Sequence, residues 1–154
     1  MSTLTLPLAL SLYTPYAVQP GLKVATSIGA ERVYVAPHVA AFSRPWNHTT
    51  GELGVHVGYR FGLDGDWSSA VSAGVAYQAQ SQVVGETIDL SGSYGDTTRE
   101  LRHAVVPTVR YELTRRRAGA DVFGAVAAGE ALRIGLEPAA TFSLELGMRF
   151  GGEG

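Results

Sequence analysis

From Gly51 to Phe61 the chain alternates without a break. Leu53, Val55, Val57, Tyr59 and Phe61 take one parity, and Glu52, Gly54, His56, Gly58 and Arg60 take the other. A period of two is the side-chain repeat of a β-strand, so this stretch is predicted as a strand with one apolar face. The pattern recurs. Eight segments carry it: Thr3–Tyr13, Leu22–Ile28, Arg32–Ser43, Gly51–Phe61, Trp67–Gln80, Arg99–Leu113, Ala120–Leu136 and Thr141–Phe150. The seventh is the least regular, because Glu130 interrupts the parity of Val122, Val126, Leu132, Ile134 and Leu136. A bulge or an extra hairpin at Gly129–Glu130 is expected there.

The connections alternate in length. Gly29–Glu31, Leu63–Asp66 (with the hairpin signal Asp-Gly) and Thr114–Gly119 are short. Thr14–Gly21, Arg44–Thr50 and Gln82–Thr98 are longer, and Glu137–Ala140 is brief. Short turns on one side and mostly longer loops on the other are the asymmetry of outer-membrane barrels. An even strand count returns the carboxyl terminus to the side of the amino terminus.

Each strong segment opposes a face of Leu, Val, Ile and aromatics to a face of Gly, Ala, Ser, Thr and charges. In a soluble barrel of the lipocalin or avidin kind the apolar face points inward. In a membrane barrel it points to lipid, where a closed sheet satisfies its own backbone. The polar face favours lipid outside, because a narrow barrel needs small residues within. By parity Lys23, Arg60, Arg102, Arg110, Arg133 and Arg149 share that face with Glu52, Glu112, Asp121, Glu137 and Glu145. Buried charges must be paired, so these residues are candidates for an ion-pair network filling the lumen. Trp67 and Tyr77 share the apolar face of one segment. Ten residues, tilted, span roughly 25 Å, the separation of two aromatic girdles.

Composition narrows the function classes. Charged residues make up 17%, below the roughly 25% of soluble domains. There is no cysteine, which excludes disulfides and thiolate metal sites. A net charge of −2 gives no footprint for nucleic acid. Lys23 is the only lysine, the other basic residues being arginines suited to packed ion pairs. No apolar run reaches the length of a membrane-spanning helix. Leu4, Leu6, Leu8, Leu10 and Leu12 alternate strictly and lack preceding positive charge, so this stretch is predicted as a strand, with a secretion signal already removed.

The closing segment adds a resemblance. Phe142, Leu144, Leu146, Met148 and Phe150 occupy every second position and end on an aromatic. This resembles the carboxy-terminal signal read by the machinery that inserts outer-membrane barrels, although Gly151–Gly154 follow the aromatic here. With seven preceding segments of the same kind, the whole chain is similar to small eight-stranded bacterial barrels of the OmpA transmembrane-domain and OmpX kind. The resemblance implies an all-β, closed, antiparallel up-and-down transmembrane barrel occupying residues 1–154 as one domain. It also implies the lipid bilayer and the insertion machinery as partners.

Fold does not fix function. The expected function is a barrel with a side-chain-plugged lumen, serving as an anchor or as a scaffold that binds another envelope protein through its outer loops. Trp46 and Tyr94 are the leading loop contacts, with Val83 and Val84 beside them. No cofactor and no catalytic group is expected. The competing readings are a narrow pore, a soluble ligand-binding barrel, and a lipid hydrolase for which Ser43 and His103 are the available pair. His38 and His56, with Glu52, are candidates for a proton-handling or metal cluster in the lumen.

Overall fold

The computed structural model describes residues 2–13, 17–30, 32–44, 48–62, 65–88 and 94–150. These residues form eight strands: β1 (Ser2–Tyr13), β2 (Ala17–Gly29), β3 (Val33–Arg44), β4 (His48–Phe61), β5 (Trp67–Ile88), β6 (Tyr94–Arg115), β7 (Asp121–Arg133) and β8 (Ala139–Phe150). Each strand pairs antiparallel with its neighbours in sequence, and β1 pairs with β8 from Leu4–Phe150 to Tyr13–Thr141, closing the barrel. Closure removes the edge strands that an open sheet would expose. The end carrying both termini and the β2–β3, β4–β5 and β6–β7 connections is the inner end below; the opposite end is the outer end.

The two parities face as a membrane barrel requires. Leu53, Val57, Val71, Val75, Val105, Val109, Val126, Leu144 and Leu146 point outward and are exposed. The alternate positions, including Ser72, Ala76, Ala104, Glu112, Ala125, Ala127 and Glu145, are buried inside. A soluble ligand-binding barrel has the reverse arrangement. Tyr59, Phe61, Trp67, Tyr111 and Phe150 ring the outward face at the inner end, while Tyr77 and Phe142 lie outward towards the other end.

Three features differ from the sequence expectation. First, the polar stretch Gln82–Thr98 is largely strand. β5 and β6 each run for 22 residues against 12 to 14 in the others. β4 last pairs with β5 at His48–Gln82, and β7 last pairs with β6 at Arg133–Ala104. Beyond those pairs, residues 83–88 and 94–103 rise as a two-stranded ribbon with register shifts between Val83 and Gly85 and between Glu86 and Ile88. A ribbon wetted on both faces has no reason to alternate, which is why its sequence reads as a loop. β2 likewise starts at Ala17, inside the expected loop Thr14–Gly21.

Second, the seventh segment is one strand without a bulge. The β7–β8 register is continuous through Glu130–Ala140. β7 ends at Arg133, and Ile134–Leu136 form the turn to β8, with Gly135 at φ +72°, the left-handed region that glycine adopts without penalty. Glu130 therefore points outward and is exposed, three residues before the outer end of β7. Third, the strand prolines leave the register intact. On either side of Pro37, Ala25 faces His38 and Ile28 faces Val35. Pro37 still faces Val55 on its other side. The missing N–H opens one ladder locally and spares the other.

Candidate functional site in the lumen and at the outer rim

The lumen is bridged by a chain of charges from three strands. Lys23 Nζ of β2 donates to Glu145 Oε1 of β8 at 2.8 Å. Arg110 of β6 donates to the other oxygen of Glu145 through Nε at 3.0 Å and Nη2 at 2.9 Å. The same guanidinium gives Nη1 to Glu112 Oε2 at 2.7 Å, and Arg149 Nη2 reaches Glu112 Oε1 at 2.5 Å. Thr114 Oγ1 completes the shell of Glu112 at 2.9 Å. Phe123 lies fully inside, its ring centre 5.7 Å from the Arg110 guanidinium and 5.5 Å from that of Arg149. Both carboxylates are thus multiply hydrogen-bonded, the condition under which buried charge is tolerated.

Towards the outer end a second group forms around Glu52, which binds His38 Nε2 at 2.9 Å and accepts from Gln78 Nε2 at 2.6 Å. The His38 and His56 rings lie 5.1 Å apart. Above them Thr50 Oγ1 donates to Gln19 Oε1 at 3.1 Å. A cavity of about 30 Å³ lies between the two groups, lined by Lys23, Glu52, His56, Gln78, Thr108 and Glu145. Towards the inner end Arg60 stacks on Tyr34 at 4.2 Å and donates to Ser27 at 2.6 Å.

The candidate residues separate by depth. Lys23, Arg110, Glu112, Glu145 and Arg149 meet in one cluster, and Glu52 and Arg60 lie in groups of their own. Arg102 does not join them: it pairs with Glu100 at 2.8 Å, partly exposed at the base of the ribbon. Arg133 is also elsewhere. It donates to the Glu137 carbonyl at 2.6 Å, holding the β7–β8 turn, because β7 stops at that residue. Ser43 and His103 are not brought together: β4 and β5 lie between their strands, and His103 Nδ1 is bonded to the Tyr77 hydroxyl at 2.6 Å. His38, His56 and Glu52 do gather, yet no three His, Asp or Glu converge as metal ligands among the described residues. Trp46 lies outside the described residues, and Tyr94 opens β6 on the ribbon. Val83 and Val84 also belong to the ribbon strand of β5.

Tyr34, Phe42 and Phe123 point into the lumen and were not singled out from the sequence. The signal was present for all three: Tyr34 and Phe42 have the parity opposite to Val33, Val35 and Val39, and Phe123 has the parity opposite to Val122 and Val126.

No protein-family model matches the chain, and no curated protein matches it. Solved structures do. The chain is similar to Neisserial surface protein A, with TM-score 0.71 and 11% identity over 97% of this chain and 94% of that one. It is similar to the N-terminal β-barrel domain of Pseudomonas aeruginosa OprF, with TM-score 0.62 and 15% identity over 96% and 97%. It is also similar to Ail, the attachment invasion locus protein of Yersinia pestis, with TM-score 0.52 and 10% identity over 97% and 96%. The chain therefore has the fold of the small outer-membrane β-barrels.

Proposed function

We propose that the chain resides in the bacterial outer membrane as a plugged barrel that anchors the β5–β6 ribbon outside the bilayer, where the ribbon binds another envelope or surface component. The observation that carries this reading is the unequal strand length: 22 residues in β5 and β6 against 12 to 14 elsewhere. A belt of roughly ten residues per strand suffices to cross the hydrocarbon, so the excess is built for the space beyond it. Rigid scaffolds carry function on such projections. Thr97, Thr98, Arg99 and Glu100 are exposed there. The Lys23–Glu145–Arg110–Glu112–Arg149 chain supports a sealed lumen over a narrow pore. Among proteins of this fold, Ail has been solved with the heparin analogue sucrose octasulfate.

Phe142, Leu144, Leu146, Met148 and Phe150 present one exposed apolar row on β8, and we assign them the contact with the insertion machinery. Replacing residues 83–99 by a two-residue Asn-Gly turn tests the main reading. The shortened barrel is expected to insert and to keep heat-dependent gel migration while losing adhesion to envelope or host surfaces. Undiminished adhesion sinks the ribbon's role. Steady single-channel steps of the intact chain in planar bilayers sink the plug.

A further inference from the structure

The outward face of the β5–β6 hairpin at the inner end is ordered by depth. Cross-strand register sets Trp67 against Arg115, Ser69 against Leu113 and Val71 against Tyr111. At the rim the Arg115 guanidinium lies 5.6 Å from the Trp67 ring centre. Cation and ring attract at this distance, which holds the fork at the membrane interface. Two positions deeper, roughly 7 Å along the strand, the Ser69 Oγ and Tyr111 hydroxyls pair at 3.2 Å and remain exposed. Deeper still the wall is Val71, Ala73 and Val109, purely apolar and exposed.

Guanidinium, hydroxyl pair and apolar wall follow the order of phosphate, glycerol ester and acyl chain in a phospholipid. Arginine is suited to the first place, because its fork binds phosphate oxygens in two-point geometry. Arg115 is also the first of three consecutive exposed arginines, with Arg116 and Arg117. Asp66 uses its backbone carbonyl to accept from Arg116 N at 2.7 Å, and Asp121 Oδ1 accepts from Arg117 N at 3.4 Å. Three successive arginine side chains thus stand at that point of the rim.

We propose that this face seats an anionic glycerophospholipid, with its phosphate on Arg115, its ester carbonyl on the Ser69–Tyr111 hydroxyls, and an acyl chain along Val71 and Val109. The assignment rests on the membrane reading above and goes beyond it by naming a preferred lipid class and its seat.

The chain has two tryptophans, so Trp46→Phe leaves Trp67 as the sole indole reporter. This variant is reconstituted in phosphatidylcholine vesicles containing equal mole fractions of acyl-brominated phosphatidylglycerol or acyl-brominated phosphatidylcholine. Quenching of Trp67 is expected to show a preference for phosphatidylglycerol of roughly fivefold per effective cation. Adding Arg115→Gln and Arg117→Gln is expected to remove the preference and leave quenching by phosphatidylcholine intact. Arg115→Lys, which keeps the charge and loses the fork, should retain only part of the preference and serves if the double variant fails to insert. Equal quenching by the two lipids overturns the proposal, as does a preference that survives the arginine substitutions. No quenching by either lipid overturns the membrane reading and this assignment with it.

Discussion

The Lys23 ammonium sits 2.8 Å from Glu145 Oε1, joining β2 to β8 across the lumen with β1 between them. Glu145 also holds Arg110, so its loss strands Lys23 and takes away one of the two carboxylates on Arg110. Glu145→Ala is expected to destabilise the barrel by about 3–5 kcal/mol, the range for breaking a buried pair on one side. Lys23→Met with Glu145→Leu should cost less than Glu145→Ala alone, since Arg110 keeps Glu112. Reversible urea unfolding in lipid vesicles measures both. Equal costs for the single and double variants would show that the Lys23 charge is not coupled to Glu145.

Phe123 is an aromatic core residue in a barrel whose other large apolar side chains mostly face outward. It fills the space beneath Arg110 and Arg149. Phe123→Ala is expected to cost about 3–5 kcal/mol through the cavity it leaves. Val126→Ala, three residues on and facing outward, should cost much less, because lipid closes over the missing methyls. Comparable losses at the two positions would contradict the assignment of faces.

Gly58 marks a close approach. A Cβ built there would run into the ring of Tyr34, which stacks on Arg60. Gly58→Ala is therefore expected to cost about 1–3 kcal/mol by overpacking. Tyr34→Leu in the same chain should recover part of that loss, although it removes the stacking on Arg60. Unfolding midpoints of the two single variants and the double variant test the coupling; strict additivity would remove the contact from the explanation.

The fold was legible because a membrane barrel writes its architecture as parity. Leu53 to Phe61 and Phe142 to Phe150 each disclose a strand, a face and a solvent at once. The rim was less legible for a physical reason. Outside the hydrocarbon neither face must be apolar, so Thr97 and Thr98 give no periodic sign of the strand they form. The lumen was legible as a composition of charges, and only partly as pairs. Parity places Arg102 and Arg110 on the same face, but height along the strand decides their partners. Arg102 stands at the ribbon's base beside Glu100, while Arg110 lies in the centre between Glu112 and Glu145. Depth depends on where each strand ends, which is also why Arg133 holds a turn.

Depth can be read directly by placing one charge at two heights on a single strand. Val109 and Leu101 both point outward from β6 and are similarly exposed, 60% and 61%. Val109 pairs with Ala73, midway between Trp67 and Tyr77. Leu101 pairs with Ser81, four residues beyond the level of Tyr77. In a bilayer, Val109→Arg is expected to cost about 2–4 kcal/mol and Leu101→Arg about 0–1 kcal/mol, since the penalty for arginine falls from the midplane to the interface. If water surrounded the barrel, both substitutions would be cheap and their costs would match. Unfolding free energies of the two variants in phospholipid vesicles decide between these outcomes. A difference of less than about 1 kcal/mol, within the uncertainty of such extrapolations, would reject a hydrocarbon belt centred on Val109.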